Sequence, residues 1–175
     1  LLQFEVGSLE EARGDEPAAA RDYLAAFNAD PQFREPLEAL VRILGRRRSV
    51  KNLGKLLDAL ARAADTPEER SRALWEQAIH LVDHEQNPTE GRARLEDAVA
   101  ENPEDPMPWL ELELLCASSG DVEGMTRAIE ARWELTTDAT WKGLLGVQLA
   151  ELAAKAGNVT RAYELLDAAA ALDGR

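Results

Sequence analysis

Apolar residues along this chain recur at spacings of three and four. Leu37, Leu40, Val41 and Leu44 form one such series, and Leu149, Leu152 and Ala153 another. That period places them on one side of a helix. No segment alternates at period two over a strand length, so the pattern predicts helices and no sheet. The punctuation is regular. A Gly followed by Asp or Asn appears as Gly14-Asp15, Gly120-Asp121 and Gly157-Asn158, each ahead of a new helical stretch. Those stretches end near Asp30-Pro31, Thr137-Asp138 and Asp173-Gly174. Gly can close one helix in a left-handed conformation, and the Asp or Asn after it can accept from the free N–H groups opening the next. Thr66-Pro67-Glu68-Glu69 reads as a capping box with Pro at the first helical position. Asn87-Pro88-Thr89-Glu90 repeats that logic, and Asp105-Pro106 repeats it in part.

Together these signals predict ten helices in five pairs, over about 1–30, 34–64, 69–102, 106–135 and 139–172. Trp75 and Trp109 stand 34 residues apart and each opens an apolar-periodic stretch. The phrase from Arg94 to Pro106 matches the phrase from Arg21 to Phe33 in form. The second pair departs most, because "LGRRRSVKNLGK" replaces its tight Gly-Asp turn. Gly7, Ala19, Ala26, Ala98, Ala162 and Ala169 suit close helix crossings. A single hairpin cannot bury its own apolar face, so neighbouring pairs must stack.

These features resemble the tetratricopeptide repeat family, whose unit is a 34-residue helix-turn-helix. The resemblance rests on Trp75, Trp109, Val6-Gly7, the Gly-Asp/Asn turns, Ala19, Tyr23, Ala162, Leu166, Pro31 and Pro103. It implies an all-α, right-handed solenoid of about five stacked antiparallel helix pairs. One domain is expected over 1–175, with units of about 1–33, 34–68, 69–105, 106–138 and 139–175.

A net charge of −13 argues against nucleic acid, which asks for a basic face. No apolar run is long enough for a membrane span. The single cysteine, Cys116, rules out an internal disulfide, and its place in the apolar stretch "WLELELLCA" reads as a buried, inert thiol. Asn158-Val159-Thr160 fits a glycosylation acceptor, but Asn158 already has the role of a helix cap. The opening "LLQFEVG" has no Met and starts inside a helical pattern, so a piece of a longer protein is expected. The excess of Arg over Lys points to a bacterial source, in cytoplasm or periplasm.

Three constellations stand out. His80 and His84 share a helix face with Glu76 and Asp83. Two His at that spacing could help hold a divalent metal, though no motif supplies a third ligand. Arg46, Arg47, Arg48, Lys51 and Lys55 crowd ten positions, with Arg42 one turn earlier; guanidinium groups there could grip an acidic peptide or a phosphate. Met107, Leu110, Leu114 and Ala117 form an apolar stripe, which could be core or a groove floor. The resemblance turns the first helix of each pair inward. It thereby implies a peptide groove of Glu38, Arg42, Arg46, Glu76, His80, Asp83, His84, Leu110, Leu114 and Val147. The Lys, Asn and Arg set of chaperone-binding relatives is replaced by Phe4, Glu38, Glu76, Leu110 and Val147, so that specificity is not expected.

No catalytic signature is present, and no cofactor is expected. The expected function is a non-catalytic scaffold that binds a protein or peptide segment. The alternatives are a spacer or oligomerisation segment of a larger assembly, and a metal protein built on His80 and His84. The apolar chain ends, Leu1-Leu2 and Leu165, Leu166 and Leu172, predict self-association through the solenoid ends.

Overall fold

The computed structural model of the 175-residue chain describes residues 1–46 and 50–172. Among the described residues there are ten helices and no strand. They are α1 (Leu2–Ala12), α2 (Glu16–Ala29), α3 (Glu35–Arg46), α4 (Val50–Arg62), α5 (Pro67–Asp83), α6 (Pro88–Glu101), α7 (Pro106–Ser119), α8 (Val122–Leu135), α9 (Ala139–Lys155) and α10 (Val159–Leu172). They form five helical hairpins, the all-α repeat that the periodicity implies. Two compact units divide the chain, Leu1–Asn102 with α1 to α6 and Pro103–Arg175 with α7 to α10. Within each unit every helix packs on the next in sequence.

The turns explain why the helices begin and end where they do. Gly14, Gly120 and Gly157 all sit in the left-handed region, at φ of 82°, 74° and 79°. At each, the N–H of the next residue reaches back into the finished helix: Asp15 to the Glu10 carbonyl, Asp121 to Cys116 and Asn158 to Ala153. This is a closed helix end of the Schellman kind. The same Asp or Asn then caps the following helix, accepting from the N–H of Ala18, Gly124 and Arg161 respectively. Asn158 thus has the capping role read from the sequence. Thr66 and Glu69 form a full reciprocal capping box. Asn87 accepts from the Glu90 N–H, Asp105 from Met107 and Asp138 from Trp141.

The α5–α6 turn uses Gln86 where three others use Gly, at φ 51°. Trp75 and Trp109 each stand eleven residues ahead of the left-handed residue, Gln86 or Gly120, so they hold matching places in their hairpins.

In the first unit, Ala19, Tyr23, Ala39, Leu40 and Ile43 form one buried cluster, with Phe4 packed against it. Leu37, Leu60 and Ala73 form another, flanked by Phe27 and Val41. Gly7 allows α1 to lie against Tyr23: a Cβ there would come 2.8 Å from the ring. Ala19, Ala26 and Ala98 are buried as crossing points should be. In the second unit, Ile129, Leu145, Leu149, Ala150 and Leu165 cluster, with Met125, Trp133 and Leu152 around them. Ala162 and Ala169 are also buried, and so is the Cys116 thiol. No helix among the described residues is long and apolar enough to cross a membrane.

Candidate functional site

The first unit holds a cleft of about 550 Å³ between α3 and α5. Its floor is Val41, Leu60 and Ala73. Its walls carry three arginines, Arg34, Arg42 and Arg72, and three glutamates, Glu38, Glu69 and Glu76. Three of the residues expected in a groove, Glu38, Arg42 and Glu76, therefore line one cavity. The walls are already paired internally. Arg34 is almost wholly buried and contacts both Glu69 and Glu38, the latter at 3.5 Å. Arg72 donates to Glu76 at 3.3 Å. Glu69 also accepts from the backbone N–H groups of Asp65 and Thr66, and these hold its carboxyl below the usual range, with Arg34 adding to the effect.

Arg42 and Arg46 turn toward the first hairpin. Arg42 grips Glu11 with a two-pronged contact, Nη2 to Oε2 at 2.7 Å and Nε to Oε1 at 3.3 Å. Arg46 donates to Glu11 at 2.8 Å and to Glu16 at 3.2 Å. The Tyr23 hydroxyl donates to Glu11 at 2.9 Å. This set holds the Glu11 carboxyl at about 2, far below its ordinary 4.5, chiefly through Arg42 and then Arg46 and Tyr23 against the opposing effect of burial. The acidic ligand that these arginines were expected to grip is thus already present, supplied by α1 and α2. Arg47, Arg48 and the Lys51 side chain lie outside the described residues, while Lys55 is exposed on α4.

The histidines do not share a solvent-open face. His80 is buried, close to Gly54 of α4 and 3.2 Å from Glu85, yet neither ring nitrogen makes a hydrogen bond. Asp83 and His84 are exposed, and the two imidazole rings lie 5.4 Å apart, centroid to centroid. None of the three lines the α3–α5 cleft. The structure buries His80 because α4 packs directly on that part of α5, a contact that helical spacing within α5 does not reveal. Among the described residues, no group of three or more His, Cys, Asp or Glu side chains is placed to hold a metal ion.

In the second unit, Leu110 is half-buried and Leu114 is exposed on α7. Val147 lies elsewhere, in an apolar cleft of about 850 Å³ between α9 and α10, beside Leu144, Tyr163, Leu166 and Leu172. The stripe Met107, Leu110, Leu114 and Ala117 is therefore not core: three of the four are exposed and none is fully buried.

Several residues escaped the sequence reading. Arg34, Glu69 and Glu11 act through partners in other helices, and nothing local marks them. Glu69 was legible only as a capping residue. Leu144 and Tyr163 carried no signal beyond being apolar at helical spacing.

The arrangement can be set beside solved structures. YrrB, described as a TPR protein with an unusual peptide-binding site, matches with a TM-score of 0.62 at 16% identity, over 97% of this chain and 84% of that one. TTC0263, a thermophilic TPR protein of Thermus thermophilus, matches with a TM-score of 0.51 at 20% identity, over 95% and 88%. This chain has the tetratricopeptide-repeat fold. MamA from Desulfovibrio magneticus RS-1 is similar too, with a TM-score of 0.62 at 16% identity over 98% and 93%. No protein-family model and no curated protein sequence matches. Identities this low speak to fold alone.

Proposed function

We propose that this tetratricopeptide-fold chain is a non-catalytic scaffold that captures a protein or peptide segment. The observation that carries this reading is the α3–α5 cleft, which brings Glu38, Arg42 and Glu76 from two successive hairpins onto one apolar floor. A cleft of that size suits several side chains of an extended segment or one turn of a helix. Its charged walls select for a segment carrying both signs. Such a ligand exchanges partners with Glu38, Arg72 and Glu76 and does not meet bare charge, so specificity comes more from matching than from raw attraction. YrrB carries a peptide-binding site by its own description, and the shared fold makes an equivalent use of this chain reasonable.

The experiment is selection from a displayed random-peptide library on the intact chain, followed by anisotropy titrations with the enriched peptides. Glu38 and Arg72 are exposed and tie no helix to another. Glu38→Lys and Arg72→Glu should each weaken binding about tenfold or more. Glu164→Lys, on α10, should leave it unchanged. Peptides that bind both cleft variants as tightly as the parent chain would sink this reading.

A further inference from the structure

The second unit contains a junction between one hairpin and the next, where α9 docks on α8. Leu145 and Leu149 of α9 are buried there against Ile129 of α8, with Leu152, Met125 and Trp133 at the edges. The turns give a common register for asking what occupies the same places elsewhere. Gly14, Gly120 and Gly157 share one conformation and one hydrogen-bond pattern, so each fixes the helices on either side of it.

Counting back from Gly157 and from Gly14, Leu145, Leu149 and Leu152 of α9 correspond to Leu2, Val6 and Leu9 of α1. Those three are apolar in both helices, but in α1 they are 74%, 37% and 60% exposed. Counting forward from Gly120 and from Gly157, Ile129 of α8 corresponds to Leu166 of α10. Ile129 is 2% exposed and Leu166 is 42% exposed. Tyr163 stands beside Leu166, also in the open, and the apolar cleft between α9 and α10 adjoins both. At Leu2, Val6, Leu9 and Leu166 the chain therefore carries solvent-facing matches to the apolar centre of the junction that it builds internally, while Met125 and Trp133 are matched in α10 by Ala162 and Ala170.

We propose that α1 of a second copy of this chain docks on α10, repeating the α8–α9 junction between molecules. The internal junction joins the second helix of one hairpin to the first helix of the next, which favours a head-to-tail contact over α10 against α10. Such an interface uses two different patches, so it joins copies head to tail, into a ring or an open chain. Covering Leu2, Val6, Leu9, Tyr163 and Leu166 removes apolar surface from water, the dominant favourable term in association.

The heterologous geometry makes the test decisive. Sedimentation velocity is run on the chain from roughly 1 μM to 1 mM, the range in which small interfaces dissociate. The parent should gain mass with concentration. Val6→Glu leaves α10 intact and Leu166→Glu leaves α1 intact. Each alone should stay monomeric, and an equimolar mixture should form a dimer and nothing larger. Far-UV circular dichroism checks the fold of both, and Leu9→Lys with Tyr163→Lys is a second pair if either fails to fold. A parent that stays monomeric throughout overturns the proposal and leaves both faces to other occupants. So does association that survives in either single variant, or a mixture that stays monomeric.

Discussion

A cleft in the first unit and a cleft in the second, one between successive hairpins and the other within a single hairpin, are built from the same kind of helix pair and differ in their lining. The one in the first unit is walled by three arginines and three glutamates, each drawn into an ion pair. The one in the second unit is lined by Leu144, Val147, Tyr163 and Leu166, and Asp167 is the sole charged residue among its described lining. The repeat constrains only a few positions per hairpin: the turn Gly, the capping Asp or Asn, and the small residues where helices cross. Those positions decide that a helix pair forms. The chemistry of the cleft is set by the remaining positions, which the repeat leaves free. A shared fold therefore says where a binding surface can lie without saying what it prefers.

The second unit's apolar character is the easier side of the comparison to break, because it mixes residues that fold the unit with residues that do not. Leu112 and Leu114 lie two apart on α7, one fully buried and one 55% exposed. Leu112→Glu should cost on the order of 4 kcal/mol or more, since it drives a carboxylate into apolar surroundings. Leu114→Glu should stay within about 0.5 kcal/mol. Urea titrations of both variants check the pair. Equal losses would mean that the exposed stripe of α7 is structural after all.

The first unit's character rests on charge, and Glu11 is its hub. Its carboxyl is held at about 2 against an ordinary 4.5, so it is ionised more readily folded than unfolded. Stability from this group is therefore present above about pH 4.5 and is lost as pH falls from there toward 2. Glu11→Gln should lower stability at pH 7 by about 1 kcal/mol, well under what the full shift would give, because Arg42 and Arg46 are half exposed and solvent screens them. The same variant should flatten the loss of stability between pH 4.5 and 2. Thermal melts across that window measure both effects, and an unchanged acid limb would show that the pairs around Glu11 contribute nothing net.

How much of this was legible beforehand follows the range of each interaction. The helix starts at Asp15, Thr66, Asn87, Asp121 and Asn158 depend on hydrogen bonds three residues long, and the sequence displays them directly. The crossing residues Gly7, Ala19 and Ala162 were legible because only small side chains let two helices approach. The site was legible only in part. Glu38, Arg42 and Glu76 meet because their register on the first helices is regular. Arg42 and Arg46 bind Glu11 across more than thirty residues of sequence, and helical periodicity carries no information about that. His80 looked like a surface ligand because spacing within α5 pairs it with His84. Its burial comes from α4, whose approach is governed by Gly54, a residue with no side chain to announce it.

The smallest expected effect isolates the left-handed turn, a device found in both units. Gln86 holds a left-handed φ of 51° that Gly14, Gly120 and Gly157 adopt freely. A side chain in that region costs about 1 kcal/mol, whereas Gly there carries no such cost but loosens the unfolded chain by about 0.5 kcal/mol more. Gln86→Gly should therefore stabilise the protein by about 0.5 kcal/mol and raise Tm by about 1–2 °C. The opposite change in the second unit sharpens the contrast. Nothing lies within 4 Å of a Cβ added at Gly157, so Gly157→Ala tests conformation without crowding. It should cost about 1 kcal/mol and lower Tm by about 2–4 °C. Calorimetry of the two variants reads both numbers. If Gln86→Gly were neutral or destabilising while Gly157→Ala behaved as expected, the Gln86 side chain would have to contribute a contact that offsets its strain. The α5–α6 turn already closes differently, its Asn87 N–H reaching six residues back to Leu81 where the Gly turns reach five, and such a contact would belong to that wider closure.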